Sequence, residues 1–246
     1  MRAERKITLS IVAIGFLVVV GYFGFDYYMG TRLVRELCAR DGGLRMYQTT
    51  RAKGFLDETV ANALYCFSCF ERLAKKQFEY VDIHVHGDPA IASPLAIQPG
   101  YYRLTLGQHG DPRCEQWAKN VNLAEWARLQ RVVGISEQQC VAVEPLPDLP
   151  IGPELSEVRE KIPNERSVDV RVDRWTIRHT STRKTLAEYR NYLFYAHWDR
   201  IFNFAGGDVP EPAAMCADVM TIVDGINALR QRTLRTSMNQ IPKTND

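Results

Sequence analysis

The sequence has almost no excess charge of either sign. It contains 31 lysines and arginines against 29 aspartates and glutamates, which gives a formal net charge of +2. Proteins that bind nucleic acids through the phosphate backbone need a clear basic excess on one surface. This balance therefore gives no support for a nucleic-acid partner. Internal repeats and low-complexity tracts are also absent, so the sequence does not predict a repeat architecture.

The common catalytic and cofactor-binding motifs are missing too. No G-x-S-x-G segment is present, and Ser68, Ser93 and Ser181 stand in no local signature for nucleophilic catalysis. There is no Walker loop and no dinucleotide fingerprint, because the glycine pairs at 42–43 and 206–207 are isolated turns. The absence of any complete catalytic constellation favours a non-catalytic protein.

A long apolar run stands near the N-terminus. It begins at Ile7, ends at Phe25 and carries no ionisable group. Nineteen helical residues span roughly 28 Å, close to the hydrocarbon thickness of a bilayer. Aromatic residues follow, as in a membrane interface belt, and neither a suitable cleavage site nor a lipobox is found. We therefore predict a signal-anchor with a transmembrane helix over residues 7–28; the alternative is a cleaved signal peptide.

The basic residues that flank this run predict its orientation. Arg2, Arg5 and Lys6 precede it directly, whereas Arg32 and Arg35 lie further beyond its other end. The positive-inside bias therefore favours a cytoplasmic N-terminus over residues 1–6. In a bacterium, the rest of the chain would face the periplasm. The expectation is a single-pass protein of the inner membrane, bound to the lipid bilayer through this helix.

An even number of cysteines fits export into an oxidising compartment, although sequence alone leaves many pairings open. The six cysteines are Cys38, Cys66, Cys69, Cys114, Cys140 and Cys216. A bond between Cys114 and Cys140 would staple the helical stretch that these two residues bracket. Cys38 stands at the foot of the membrane helix and Cys216 near the start of the last helix, so their pairing would close a long loop.

Cys66 and Cys69 form a C-x-x-C pair within YCFSCF. A redox dithiol needs an exposed first cysteine at a helix N-terminus, which lowers the pKa of its thiol. Here the pair falls inside a predicted helix that no strand precedes. We expect buried cysteines or a local disulfide, with a redox pair and half of a zinc site as the alternatives.

The remaining pattern predicts an α+β fold. A juxtamembrane helix and its glycine cap are expected over residues 29–43, followed by a periplasmic domain over 44–236 and a polar tail over 237–246. Four prolines mark a sub-boundary near 145–153. The clearest strand signals form a hairpin on the two sides of TRKTL. The predicted architecture is a transmembrane helix followed by a small antiparallel sheet flanked by helices.

Two local patterns resemble those of a known family. CARDGGLRMY, residues 38–47, resembles the Cys-x-x-Asp-Gly-Gly-x-x-x-Tyr segment of a family of uncharacterised proteobacterial envelope proteins. In that family a later Gly-Gly-Asp-x-Pro stretch ends in a Cys-Pro pair. Here residues 206–210 carry this stretch, and Cys216 follows with Ala217 in place of the proline. The resemblance implies an envelope location and pairing of Cys38 with Cys216, and it implies no function.

The segment DIHVHGDP carries the clearest candidate metal ligands. His84 and His86 stand two residues apart, so on a strand they would share one face, and Asp88 follows in the turn. The pattern also looks like the first-strand metal motif of amidohydrolases. Those enzymes need a (β/α)₈ barrel of about 250 residues, which is more than this domain offers. Ordinary hydrogen-bonded strand residues are therefore the first interpretation, and a zinc site is the alternative.

Two functions are compatible with these observations. The first is a non-catalytic accessory or interaction module of an envelope assembly, with an envelope protein as its partner and no cofactor. The alternative is a small periplasmic metal-dependent hydrolase that uses zinc at His84, His86 and Asp88. The alternative requires a further His, Asp or Glu to converge on that strand, because a catalytic zinc usually has three protein ligands.

Overall fold

The structure is a computed structural model that describes residues 2–59, 67–86, 99–108, 110–114, 134–136, 138–164, 168–196, 212–217 and 219–235. The chain forms two compact units whose segments interleave along the sequence. Unit 1 comprises Met1–Leu44, Val158–Arg174 and Tyr189–Ile226. Unit 2 comprises Arg45–Glu157, Trp175–Glu188 and Asn227–Asp246.

The described residues combine a few helices with many strands. The helices are α1 (Arg2–Asp41), α2 (Phe67–Ala74) and α3 (Val219–Thr233). The strands are β1 (Gly43–Met46), β2 (Thr50–Arg51), β3 (Gly54–Asp57), β4 (Tyr80–Val85), β5 (Gly100–Gln108), β6 (Gln139–Leu146), β7 (Pro153–Lys161), β8 (Asp169–His179), β9 (Thr185–Tyr195), β10 (Ala214–Met215) and β11 (Leu234–Arg235). One nine-stranded sheet has the order β1-β9-β8-β7-β3-β4-β5-β6, with β10 on β9, and β11 pairs with β2.

The sheet differs from the predicted one, although the mixed α and β content is confirmed. The prediction of a small antiparallel sheet is wrong, because the sheet is large and mixed: β3 pairs in parallel with both β4 and β7. All four residues of β3 are buried. A short strand that is buried on both faces shows no alternation of apolar and polar residues, so its period carries no signal.

In unit 2, the short strand β3 lies between β7 and β4 and pairs in parallel with both. Asp57 of β3 is level with Ile83 of β4, and His84 of β4 is opposite Tyr101 of β5. The chain passes through α2 between the parallel strands β3 and β4, as such a crossover requires. Phe70 of α2 is fully buried. The carboxyl ends of β3 and β4 therefore meet at one edge of the sheet.

In unit 1, the C-terminal part of α1 belongs to the core. One cluster of buried residues comprises Val34, Leu37, Val168, Val170, Val172, Tyr192, Phe194 and Ala196. Val34 and Leu37 lie three residues apart on α1, which places them on one helix face. After Asp41 the chain turns through Gly43, whose φ of +85° is a conformation that glycine adopts at little cost. The core of unit 1 thus contains part of the same helix that carries the apolar run.

Candidate functional site

The first candidate feature is the part of α1 from Asp26 to Cys38, which packs against the rest of unit 1 and which we call the joint. The segment Val12–Asp41 is long and apolar enough to cross a membrane, with a mean hydropathy of 1.6 over its most apolar window. Within it, Phe16 and Phe25 are exposed, whereas Asp26 is only 8% exposed and Met29 is buried. The exposed apolar stretch therefore passes into the buried part of the same helix without a linker.

Two contacts hold this joint together. A Cβ atom built on Gly30 would lie 2.2 Å from Cε2 of Phe194, so α1 crosses β9 at a position where only glycine fits. Further along, Cys38 forms a disulfide with Cys216 at a Cα–Cα distance of 5.4 Å. The backbone N–H of Tyr192 donates to Sγ of Cys216 at 3.3 Å, which ties the bridge to β9. This is the pairing that the family resemblance implies.

The other cysteines lie in unit 2. Cys114 and Cys140 form a disulfide with a Cα–Cα distance of 5.9 Å and a sequence separation of 26. Cys69 is fully buried on α2 and is disulfide-bonded, whereas Cys66 lies outside the described residues.

The second candidate feature is a cluster of Glu58, His84 and His86. Glu58 follows β3 directly, His84 lies in β4, and His86 follows β4. Because β3 and β4 are parallel neighbours, their carboxyl ends bring the three side chains together. Their potential ligand atoms all lie within 4.8 Å of one another. Among the described residues, this is the one group of at least three His, Cys, Asp or Glu side chains that could hold a metal ion.

One carboxylate oxygen faces both histidine rings of this cluster. Oε2 of Glu58 lies 3.2 Å from Nδ1 of His84 and 3.6 Å from Nε2 of His86. The two imidazole centroids are 4.1 Å apart, and the ring of Tyr101 stacks on His84 at 4.3 Å with an angle of 20°. The side chains of Glu58, His84 and His86 are 19%, 25% and 49% exposed, respectively. The cluster is thus partly shielded and still reachable from solvent.

The two aspartates of DIHVHGDP are not among the described members of this cluster. Asp88 lies outside the described residues. Asp82 accepts two hydrogen bonds from the guanidinium group of Arg103, at 2.8 and 3.0 Å. Burial raises the pKa of Asp82 above its usual value, while the bonds from Arg103 act in the opposite direction. Arg103 in turn stacks on the ring of Tyr80 at 3.8 Å. Asp82 therefore belongs to a separate ion pair.

Glu58 is a member of the cluster that no motif in the sequence predicts. This residue precedes His84 by 26 positions and stands in no motif with the histidines. The one feature of the sequence that could indicate Glu58 is its position as an acidic residue directly after a short apolar segment. Side chains at the carboxyl ends of neighbouring parallel strands lie close together. Recognising Glu58 requires knowing that β3 and β4 are parallel neighbours.

Two buried arginines lie next to β3, close to Glu58, and both are near the ring of Phe55. Nη2 of Arg230 donates to Oδ2 of Asp57 at 3.2 Å, and Nη2 of Arg72 donates to Oδ1 of Asn227 at 3.0 Å. Burial, followed by the positive charge of Arg230, lowers the pKa of Arg72 to about 9. Burial also lowers the pKa of Arg230, and the carboxylate of Asp57 partly offsets this effect. Asp57 is thus the counter-charge that keeps a buried cationic pair in place.

Another carboxylate, that of Glu154, lies near the cluster on the neighbouring strand β7. Glu154 of β7 is level with Leu56 of β3 and accepts a hydrogen bond from Nε of Arg178 at 3.0 Å. Burial raises the pKa of Tyr101, and the carboxylates of Glu58 and Glu154 add to that rise. The Tyr101 phenol therefore remains neutral at physiological pH, as a stacking partner for His84.

Comparisons with known protein families, with characterised proteins and with solved structures found no match. Two features stand out among the described residues: the joint of α1 with unit 1, and the cluster of Glu58, His84 and His86.

Proposed function

We propose that the protein is a single-pass inner-membrane protein whose disulfide-stabilised periplasmic domain is a non-catalytic accessory or interaction module of an envelope assembly. The observation that carries this proposal is the continuity of α1. The same helix supplies an exposed apolar stretch and part of the buried core of unit 1. An apolar stretch that is exposed in the folded chain requires a non-aqueous partner, and its length suits a bilayer.

The stiffness of the joint supports a role in an assembly. A flexible linker lets a tethered domain sample many orientations. Here Asp26 is buried one residue after the exposed Phe25, so the folded part begins where the apolar stretch ends. Such a joint holds unit 1 in one orientation relative to the bilayer. Binding to a neighbouring membrane protein then costs less orientational freedom, which favours association.

The cysteines support the proposed compartment. Disulfides persist in oxidising environments such as the bacterial periplasm and are rare in the cytosol. Cys38 lies just beyond the apolar stretch on the side away from Arg2, Arg5 and Lys6, and it is bonded to Cys216. A cytoplasmic N-terminus by the positive-inside bias and an oxidised Cys38 on the other side agree with one orientation.

Thiol trapping in intact bacteria tests the compartment. The full chain is alkylated with a maleimide polymer, before and after reduction, and separated by size. We expect no labelling of the wild type before reduction, and a single added label on Cys216 in the Cys38→Ser variant. The matched control is Cys114→Ser, which should label Cys140 instead. Labelling of all cysteines in unreduced wild-type cells would contradict a periplasmic domain.

A linker insertion tests the interaction module. A short Gly/Ser segment placed between Phe25 and Asp26 should leave membrane location and the Cys38–Cys216 bond intact, but release the chain from a larger complex on native gels. The same segment placed before Ile7 is the control and should have no effect. If the crosslinked wild-type chain migrates alone as a 28.1 kDa protein, the proposed role in an assembly is wrong.

A second candidate function is a small periplasmic metal-dependent hydrolase. One observation favours it: Glu58 converges on the strand that carries His84 and His86. The test is zinc-dependent hydrolysis of a panel of nitrophenyl esters and phosphates by the full chain, with His86→Ala as the inactive control. Absence of zinc-dependent turnover in a chain that carries the ion would remove this candidate.

A further inference from the structure

We infer that Glu58, His84 and His86 bind one divalent transition-metal ion, and that zinc is the ion that this ligand set fits best. The inference goes beyond the proposed function, because metal binding at this cluster requires neither a protein partner nor catalysis. It also differs from the site predicted from the sequence, since the carboxylate ligand is Glu58, which directly follows the neighbouring strand β3.

The spacing of the ligand atoms matches a small tetrahedral site. Zinc bonds to imidazole nitrogen and carboxylate oxygen are about 2.0–2.2 Å long, so adjacent ligand atoms lie about 3.3–3.5 Å apart. Oε2 of Glu58 lies 3.2 Å from Nδ1 of His84 and 3.6 Å from Nε2 of His86. Two of the three ligand pairs are therefore already at coordination spacing. The third pair, between the two rings, can close by rotation of the His86 side chain, which is about half exposed.

A hydrogen-bonded group without an ion accounts less well for this arrangement. A single oxygen of Glu58 is the atom nearest to both rings, yet its 3.6 Å distance to Nε2 of His86 is too long for a hydrogen bond. One shared cation attracts the lone pairs of all three ligands.

The chemistry of the donor set selects the class of ion. Imidazole nitrogen suits zinc and other first-row transition metals, whereas magnesium and calcium prefer sites made of oxygen ligands. Thiolate ligands are not on offer, because the described cysteines are disulfide-bonded. Three protein ligands leave at least one coordination position for water or another ligand.

The supports of the cluster are in place before any ion binds. The backbone N–H of Glu58 donates to the carbonyl oxygen of Leu155 at 2.8 Å, which joins this residue to β7. Asp57 accepts a hydrogen bond from the backbone N–H of Thr59 at 3.1 Å, so the chain turns in a fixed way around Glu58. Tyr101 holds the ring of His84 by stacking. Such partners orient metal ligands and raise affinity.

Metal binding by the full chain in detergent micelles tests the inference. The protein is stripped with a chelator, dialysed against zinc chloride and analysed for metal per chain; cobalt(II) then serves as a spectroscopic probe. We expect one zinc per wild-type chain, and visible cobalt absorption of the intensity typical of a tetrahedral site. His86→Ala and Glu58→Gln should each weaken zinc binding by more than about 100-fold, the upper end for loss of an outer-shell partner.

The matched control is His179→Ala. His179 contacts Ser181 at 3.0 Å and is not a member of the cluster, so its loss should leave zinc binding unchanged. Circular dichroism and non-reducing gels verify that each variant is folded, and the exposed His86 makes its variant the safer one. A folded wild type that takes up neither zinc nor cobalt overturns the inference, as does undiminished binding in both cluster variants. Neither result bears on the compartment of the domain, which thiol trapping measures separately.

Discussion

At Gly30, α1 crosses directly over the ring of Phe194, and we predict that Gly30→Ala weakens this joint. An added Cβ would lie 2.2, 2.3 and 2.4 Å from Cε2, Cζ and Cδ2 of Phe194. Carbon atoms in contact are about 3.5–4.0 Å apart, so the helix or the ring must move by more than about 1 Å. Phe194 is 0% exposed, and close-packed interiors leave little room for a shift of this size.

The magnitude follows from two opposing terms. Overpacking of a well-packed core costs about 1–3 kcal/mol. In the opposite direction, alanine stabilises a helix interior relative to glycine by about 1 kcal/mol. The gain in helix propensity is the same in the wild-type and Phe194→Leu backgrounds. The difference between the costs of Gly30→Ala in these two backgrounds therefore measures the steric clash between the new Cβ atom and the Phe194 ring. We expect Gly30→Ala to cost about 1–3 kcal/mol more when Phe194 is present.

Thermal unfolding of the full chain in detergent, followed by near-UV circular dichroism, measures this difference. For a chain of this size each kcal/mol shifts the apparent Tm by about 2–4 °C. The control is Gly24→Ala, since a Cβ at Gly24 meets nothing within 4 Å. If Gly30→Ala is as harmless as Gly24→Ala, or equally costly in both Phe194 backgrounds, then α1 is not seated against β9 as described.

Three further predictions concern other parts of the chain. Cys38→Ser should cost more unfolding free energy than Cys114→Ser in chemical denaturation, about 5 against about 3.5 kcal/mol in the chain-entropy model, because the sequence separations are 178 and 26. Asp57→Asn should lower stability by about 3–5 kcal/mol in the same assay, since it leaves the buried charge of Arg230 uncompensated; equal stability would contradict the pairing. Burial raises the pKa of Asp82 above 3.8, so between 3.8 and the higher value in the folded state the folded chain holds a proton that the unfolded chain has lost. The stabilisation by this protonation therefore grows as the pH falls through that range towards 3.8. Asp82→Asn should remove this component from a plot of Tm against pH, and an unchanged plot would rule the effect out.

The local features of the candidate site could be predicted from the sequence because they depend on short-range geometry. Successive residues of a strand point to opposite faces, so the spacing of His84 and His86 was sufficient to predict that both rings share one face. The structure brings these two rings together at the end of β4. Glu58 could not be predicted in the same way, because its contact with His84 depends on which strand lies beside β4.

The features that could be predicted from the sequence are those that a few neighbouring residues specify. The long apolar helix, the mixed α and β content and the common face of His84 and His86 are of this kind, since each follows from composition or from a repeat of 2 or 3.6 residues. Only the folded chain shows that β3 lies in parallel between β4 and β7 and that Glu58 joins the histidines. The free-energy cost of closing a loop rises only slowly with its length, so the separation of two segments along the chain says little about whether they pair. That choice is made by the packing of buried residues such as Leu56 and Phe194, which become neighbours of other segments only when the chain has folded.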